Sequence, residues 1–322
     1  MKVSVLIATY NRAQVLRQTL EAMCAVDREG LDVEFVVIDN NSTDDTAQVI
    51  DSFAERLHLH HLFESRPGKS YALNYALDTV ELGEIVVFTD DDVVPQEDWL
   101  KRIVRSSEKW PEHDVFGGKI EVVWPEGMRI PTWVMTNQCD MRMKIFGEHD
   151  YGPRACPYPP GAYPFGGNFW VRGKLLHRGQ RFAMTLGPQR SAPMGEDTDF
   201  VSRLAESGHP AFYVPEAVVG HLAQPCLLQE EAVYVRARRL GRAKANIMGI
   251  ADADGYGRNR FLWHFRVIKS ILRCYVRCVF ARMSFPEEKR VERTFGAYRF
   301  LGYNVESLRL AHKTKGDRRT ER

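Results

Sequence analysis

The chain has 322 residues, of which 44% are apolar and 27% charged, and its formal net charge is +2. That length and apolar share can bury a full core, which excludes global disorder and suits one large domain with an appendage. No uninterrupted apolar run reaches about 18 residues, so a membrane-spanning helix is not expected. The six cysteines, at 24, 139, 156, 226, 274 and 278, form no CxxC pair and no zinc-like spacing, and no hydrophobic leader opens the chain. Free thiols in a reducing, cytoplasmic setting are the expectation.

Residues 3–8 (VSVLIA) read as a buried strand, followed by Thr9, Tyr10, Asn11 and Arg12 and then by a helix with Val15, Leu16, Leu20 and Met23 on one side. The pattern repeats with a strand at 33–38, a loop at Asp39, Asn40, Asn41 and Ser42, and a helix from Asp44 to Leu57. A short strand at 58–63 interleaves His58, His60 and His61 with leucines; it reads as an edge strand without a function of its own. Arg66, Pro67, Gly68, Lys69 and Ser70 then open a helix that turns Ala72, Leu73, Ala76 and Leu77 inward, and the apolar run Ile85 to Phe88 leads into Asp90, Asp91 and Asp92. This alternation predicts an α/β fold with a doubly wound, mostly parallel sheet. In such sheets ligands sit beyond the carboxyl ends of the strands, so the loops at Thr9–Arg12, Asp39–Asn41 and Asp90–Asp92 should converge on one crevice.

From 101 to 165 the pattern loosens, with a proline-rich stretch at 157–164 that reads as a surface loop or lid. Order resumes at Gly166 to Val171, and a helix opening at Glu196 and Asp197 stops at Gly208. Past His221 the chain is mostly helical and basic, with a boundary near 222.

Each chemical candidate has a plain structural alternative. Carboxylates crowded at Asp90–Asp92 repel one another unless solvent or a cation offsets the charge, and hard oxygen ligands suit Mg²⁺ or Mn²⁺ in contact with a phosphorylated ligand. An ordinary solvated acidic turn is the alternative. Asp39 either caps the next helix or accepts hydrogen bonds from a ribose or base. Arg12, Arg66 and Lys69 are either solvated surface charges or the cations a diphosphate needs, with Gly68 offering backbone donors at a helix start. Glu196 and Asp197 either complement the helix macrodipole or supply a general base. His221 is either structural or a metal ligand through neutral imidazole. Cys274 and Cys278, one turn apart, read as packing residues. The absence of GxGxxG after the first strand argues against a dinucleotide oxidoreductase.

Residues 234–282 hold twelve Lys or Arg against only Asp252 and Asp254, so their partner is expected to be anionic. Within 260–283, Arg266, Lys269, Arg273 and Arg277 recur at helical spacing among apolar residues. This basic amphipathic helix either packs on the main domain with its charges in water or lies on an anionic membrane surface; nucleic acid is a minor option and is not assigned as a partner.

Six segments in order, VSVLIATYNR at 3–12, VVIDNNSTDDT at 36–46, RPGKSYALN at 66–74, FTDDDVVPQEDWL at 88–100, GGN at 166–168 and GEDTDF at 195–200, resemble the successive motifs of the family 2 inverting glycosyltransferases with the GT-A fold. The resemblance implies that Thr9, Tyr10, Asn11, Arg12, Asp39 and Asn41 hold the nucleotide and that Arg66, Gly68, Lys69 and Asn74 shape its pocket. It implies that Asp90 and Asp92 form the DxD pair on ribose and metal with Asp91 beside them, that Gly167 and Asn168 lie near the donor sugar, and that His221 is a later metal ligand. Asp197 is implied as the base, with Glu196 as the other member of the acid pair. On this pattern residues 1–100 form the nucleotide-sugar half, 101–222 the acceptor and catalytic half of the same domain, and 223–322 a basic helical extension. The donor is expected to be a UDP-sugar and the acceptor a saccharide, carried on a lipid at the cytoplasmic membrane face as in similar exopolysaccharide and lipopolysaccharide transferases, where the chain would sit peripherally. No QxxRW segment follows, which favours transfer of a single sugar. A nucleotidyltransferase of related fold and a non-catalytic nucleotide-sugar-binding scaffold are the rival readings.

Overall fold

The computed structural model of the protein describes residues 1–136, 140–184, 195–248 and 260–320. Cys139 lies outside the described residues; the other five cysteines are free thiols, with Cys274 and Cys278 buried. No described helix is long and apolar enough to cross a membrane.

The described strands are β1 (Lys2–Thr9), β2 (Asp32–Asp39), β3 (Leu59–Phe63), β4 (Ile85–Thr89), β5 (Val93–Pro95), β6 (Val115–Val123), β7 (Cys156–Pro157), β8 (Phe169–Arg172) and β9 (Ala211–Leu222). They form one sheet in the order β3-β2-β1-β4-β8-β6-β9-β5, with β7 paired to β9. The half made of β3, β2, β1 and β4 is parallel throughout. Beyond it β8 runs antiparallel between β4 and β6, and β9 lies parallel to β6.

Successive strand residues point to opposite faces, and here both faces are covered. Val3, Val5 and Ile7 of β1, with Phe35, Val37 and Val87, pack beneath α1 (Ala13–Cys24), α2 (Thr46–Ser52), α3 (Ala54–Leu57) and, across Trp99, Leu100 and Ile103, the later helix at Trp99–Lys109. The intervening Leu6, Val36, Ile38, Val86 and Phe88 meet α4 (Lys69–Thr79) on the other face. In chain order the remaining helices are α5 (Trp99–Lys109), α6 (Thr132–Thr136), α7 (Asp140–Phe146), α8 (Gly173–His177), α9 (Glu196–Glu206), α10 (Glu230–Met248), α11 (Arg260–Ser284) and α12 (Glu287–Thr320). Continuous apolar runs are what strands buried on both faces require, which is why they stood out in the sequence.

Two expectations are corrected. The helix expected from Asp44 to Leu57 is two short ones, because Phe53 closes the first with a tight N–H bond to the Ile50 carbonyl, 3.0 Å, and His58 ends the second in the left-handed conformation, φ 47°. The stretch 101–165, where the pattern loosens toward a loop or lid at 157–164, contains most of α5 and the interior strand β6. Gly117 and Gly118 interrupt its apolar pattern for a steric reason: a β-carbon on Gly118 would stand 2.2 Å from Asn168 Nδ2, and one on Gly117 2.4 Å from the Pro164 side chain.

The chain divides into two compact units. The first holds the whole sheet with α1–α5, α8 and α9. The second holds α6, α7, α10, α11 and α12, with α12 packed along α10 and against α11. Two glycines let α10 and α12 approach closely: a β-carbon on Gly302 would lie 2.1 Å from the Arg238 carbonyl oxygen, and one on Gly241 1.8 Å from that of Arg299. Backbone cannot yield as a side-chain tip can. Gly302→Ala should therefore cost about 1–3 kcal/mol of stability despite the better helix propensity of alanine, read as a lowered urea midpoint.

Candidate functional site

Thr9 pairs with Asp39 across β1 and β2, and Ile7 with Thr89 across β1 and β4, so β1 and β2 finish level at the carboxyl edge of the sheet and β4 finishes two residues short of them. Their loops are tied together. Asn11 accepts from the Thr43 N–H at 2.7 Å and gives its own N–H to Ser42 Oγ at 2.9 Å, while Asp39 Oδ1 accepts from the Ser42 N–H at 2.9 Å. Asn11 and Asn41 both hold left-handed backbone, φ 50° and 65°, which asparagine tolerates better than most residues. Tyr10 is exposed on this rim.

Asp90, Asp91 and Asp92 do not all face the same way, because consecutive residues leaving a strand cannot. Asp91 is buried and turned inward, accepting from Thr9 Oγ1 at 2.7 Å and from Arg12. Arg12 reaches across to Asp92 Oδ2 at 2.7 Å with its other terminal nitrogen. The resemblance implies Arg12 on the nucleotide and Asp91 beside the DxD pair; here the two brace the acidic loop together. Burial lifts the Asp91 carboxyl to about 6, with Arg12 opposing and Asp92 adding to the rise. Burial works on Asp92 in the same direction, yet His221 and Arg12 outweigh it and hold that carboxyl well below the usual range.

Asp90, Asp92 and His221 each offer a ligand atom, and these atoms lie within 4.8 Å of one another. His221 Nε2 stands 3.3 Å from Asp92 Oδ1, a buried oxygen that accepts no hydrogen bond in this structure. Two carboxylates and one imidazole suit Mn²⁺ or Mg²⁺, so the residues fit a divalent cation.

Lys69 lies at the centre of the remaining carboxylates. Its ammonium is 2.7 Å from Asp90 Oδ1, 3.3 Å from Asp197 Oδ2 and 3.7 Å from Glu196 Oε1. Burial opposes its charge, but Asp197, Asp90 and Glu196 prevail and raise its pKa well above the ordinary value. Burial also lifts the Asp197 carboxyl, to about 7, against the pull of Lys69 and with Glu196 and Asp90 adding. Asp197 Oδ1 is buried without a hydrogen bond from the described residues, a costly arrangement unless a further group supplies a donor. The chain passing this carboxylate is bare: a β-carbon on Gly166 would fall 2.1 Å from Asp197 Oδ2 and 2.9 Å from Lys69 Nζ. Thr89 Oγ1 donates to the Gly167 carbonyl at 2.8 Å and fixes this strip over β4, beside Asp90.

Other residues expected at the site are occupied elsewhere. Asn168 is fully buried; its Nδ2 donates to the carbonyls of Lys119 and Ala217, and its Oδ1 accepts from Trp99 Nε1. Asn74 makes a reciprocal pair with the Phe182 backbone at 2.9 Å in each direction. Arg66 folds back on buried Glu64, 2.6 Å away, and lies over the Tyr71 ring. Sequence reasoning passed over Asn40, which donates to the carbonyls of Glu64 and Arg66 and accepts from the Gly68 N–H at 2.6 Å. It shapes the loop where Arg66, Gly68 and Lys69 lie. Nothing in a run of two asparagines distinguishes the buried one from its exposed neighbour Asn41.

Residues 4–157 match the family model described as glycosyl transferase family 2. The chain carries a family 2 glycosyltransferase domain. The chain is 32% identical over 126 residues to glycosyltransferase AglE of Haloferax volcanii, a match covering 39% of this chain and 41% of the relative. It is 24% identical over 216 residues to the succinoglycan biosynthesis protein ExoM of Rhizobium meliloti, covering 66% and 64%. It thus spans less than two thirds of the length of either relative. Among solved structures it is similar to a mannosyltransferase of Pyrobaculum calidifontis in complex with GDP-Man and Mn²⁺, with TM-score 0.59 and 23% identity over 95% of this chain and 86% of that one. The shared fold is the GT-A type expected from the sequence, an α/β fold with a curled, mostly parallel sheet and C-terminal helices.

Gly166→Ala should abolish sugar transfer by displacing Asp197 or Lys69 while far-UV circular dichroism stays native. With Asp197 as the base, the role proposed for it below, kcat/KM should fall as pH drops through its pKa, about 7 in the cation-free protein, because a carboxylate base works only when ionised. Lys69→Met removes the cation that holds this value down, and a pH profile should show its acid limb moved to higher pH.

Proposed function

We propose that the chain is an inverting glycosyltransferase that moves one sugar from a nucleotide-diphosphate donor, a UDP-hexose, to a hydroxyl of a saccharide acceptor in cell-surface polysaccharide synthesis. The acceptor is carried on a lipid, and the enzyme works peripherally at the cytoplasmic face of the membrane. The observation that supports this most is the position of Lys69, whose ammonium bridges Asp90 on the expected donor side and Asp197 on the expected acceptor side.

The donor lies under the loops ending β1, β2 and β4, with its diphosphate toward Asp90 and Asp92. Asp197 Oδ1, buried without a donor, takes the proton of the acceptor hydroxyl. The acceptor oxygen then bonds to the anomeric carbon from the opposite side as the bond to the diphosphate breaks, and the nucleoside diphosphate leaves with the electron pair. One displacement inverts the centre, so an α-linked donor yields a β-linkage. Asp90, Asp92 and His221 would hold Mn²⁺ or Mg²⁺, which neutralises charge on the departing diphosphate. Gly167 and the bare strip at Gly166 form the floor beneath the sugar. Lys69 keeps Asp197 aligned and ionised, and Glu196 shares that cation.

Calorimetric titration with UDP, GDP and dTDP, each with Mn²⁺ and then with EDTA, should give selective, cation-dependent binding of UDP. Selective GDP binding would keep the transferase and change its donor, and failure of all three nucleotides would overturn the reading. Asp92→Asn should abolish turnover and weaken cation-dependent nucleotide binding together. Asp197→Asn should leave nucleotide affinity within about twofold of wild type while turnover drops by about 10²-fold or more. Turnover retained in that variant would move the base to Glu196.

A further inference from the structure

The helix α11 has three faces. One packs within the C-terminal unit: Trp263, Val267, Cys274, Cys278 and Ala281 are buried, and Trp263 and Val267 cluster with Ala311 of α12. A second carries Arg266, Lys269, Arg273 and Arg277, all exposed and spaced three or four residues apart, and no carboxylate among the described residues pairs with any of them. The third carries Phe265, Ile268, Leu272, Val276, Val279 and Phe280, each between 51% and 67% exposed. This apolar row precedes the basic one by a residue at nearly every turn, so the two run side by side for about 17 Å along the helix.

Large apolar side chains at that density on one exposed face call for something that covers them. We propose that this face of α11 docks on the surface of an anionic lipid bilayer, with the apolar row in the acyl boundary and the basic row at the headgroup phosphates. Charge selects this occupant. Residues 260–284 contain no acid, so a second copy of the chain laid on the same face would bring basic row against basic row with no partner on the helix for either. The same cations bar the helix from crossing the bilayer and suit it to lie in the interface. The proposal names the surface behind the peripheral placement given under the proposed function but rests on none of the catalytic residues, because the surface belongs to the C-terminal unit and its readout requires no turnover.

Flotation of the full chain with vesicles tests it. Protein should float with phosphatidylcholine mixed with phosphatidylglycerol, with affinity at least about tenfold above that for phosphatidylcholine alone, and raised salt should reduce that margin. Leu272→Ser with Val276→Ser should release it from both vesicles; Arg273→Gln with Arg277→Gln should remove the preference for the anionic ones. All four positions are exposed, so the variants should keep the wild-type circular dichroism and nucleotide titration. Equal binding to both vesicles, no binding to either, or wild-type binding by both variants would overturn the proposal. So would sedimentation showing a dimer that Leu272→Ser with Val276→Ser dissociates, without any vesicle binding by the wild type.

Discussion

Five carboxyl groups, Asp90, Asp91, Asp92, Glu196 and Asp197, crowd around two cations, Arg12 and Lys69, at the carboxyl edge of the sheet. Most are buried, and close negative charge out of water is tolerated only with compensation. The fold supplies it from two directions: Arg12 from the loop after β1 braces Asp91 and Asp92, and Lys69 at the start of α4 joins Asp90 to Glu196 and Asp197. Segments far apart in the chain are thereby held at one place. Negative charge remains in excess, concentrated where Asp90, Asp92 and His221 converge, and this excess is the physical reason the site suits a divalent cation.

The loops that carry these charges are braced by amide side chains. Asn11 joins the loop after β1 to the loop after β2, and Asn40 joins the latter to the loop before α4. Deeper in, Asn168 bonds to β6, β9 and α5 at once and so anchors the end of the Gly166–Asn168 strip. The Asn40 and Asn168 amides each both donate and accept, which lets a single side chain satisfy groups on converging segments, while the Asn11 side chain accepts through Oδ1. Backbone and carboxylate positions near the reacting centre thus depend on residues that point away from it.

This division explains what could be read from residues alone. Doubly covered strands announce themselves as apolar runs, and β1, β2 and β4 were legible for that reason; so was the convergence of their end loops, which follows from parallel topology. The strand β6 was hidden because Gly117 and Gly118 make room for Asn168 and Pro164, neighbours distant in sequence. Side-chain direction was equally out of reach. Asp91 and Asp90 are adjacent and chemically identical, yet one braces Thr9 and Arg12 while the other faces Lys69. Arg66, Asn74 and Asn168 sit within segments that match the family pattern, but their hydrogen bonds go to Glu64, Phe182 and the β6 and β9 backbone.

The bare strip at Gly166 limits how such a site can diversify. A β-carbon at Gly166 would meet the Asp197 carboxylate and the Lys69 ammonium, so any side chain added there displaces the charged groups themselves. Under the proposed function, preference for one hexose over another would then be set in the surrounding walls, by side chains whose replacement leaves the acid pair and its lysine undisturbed.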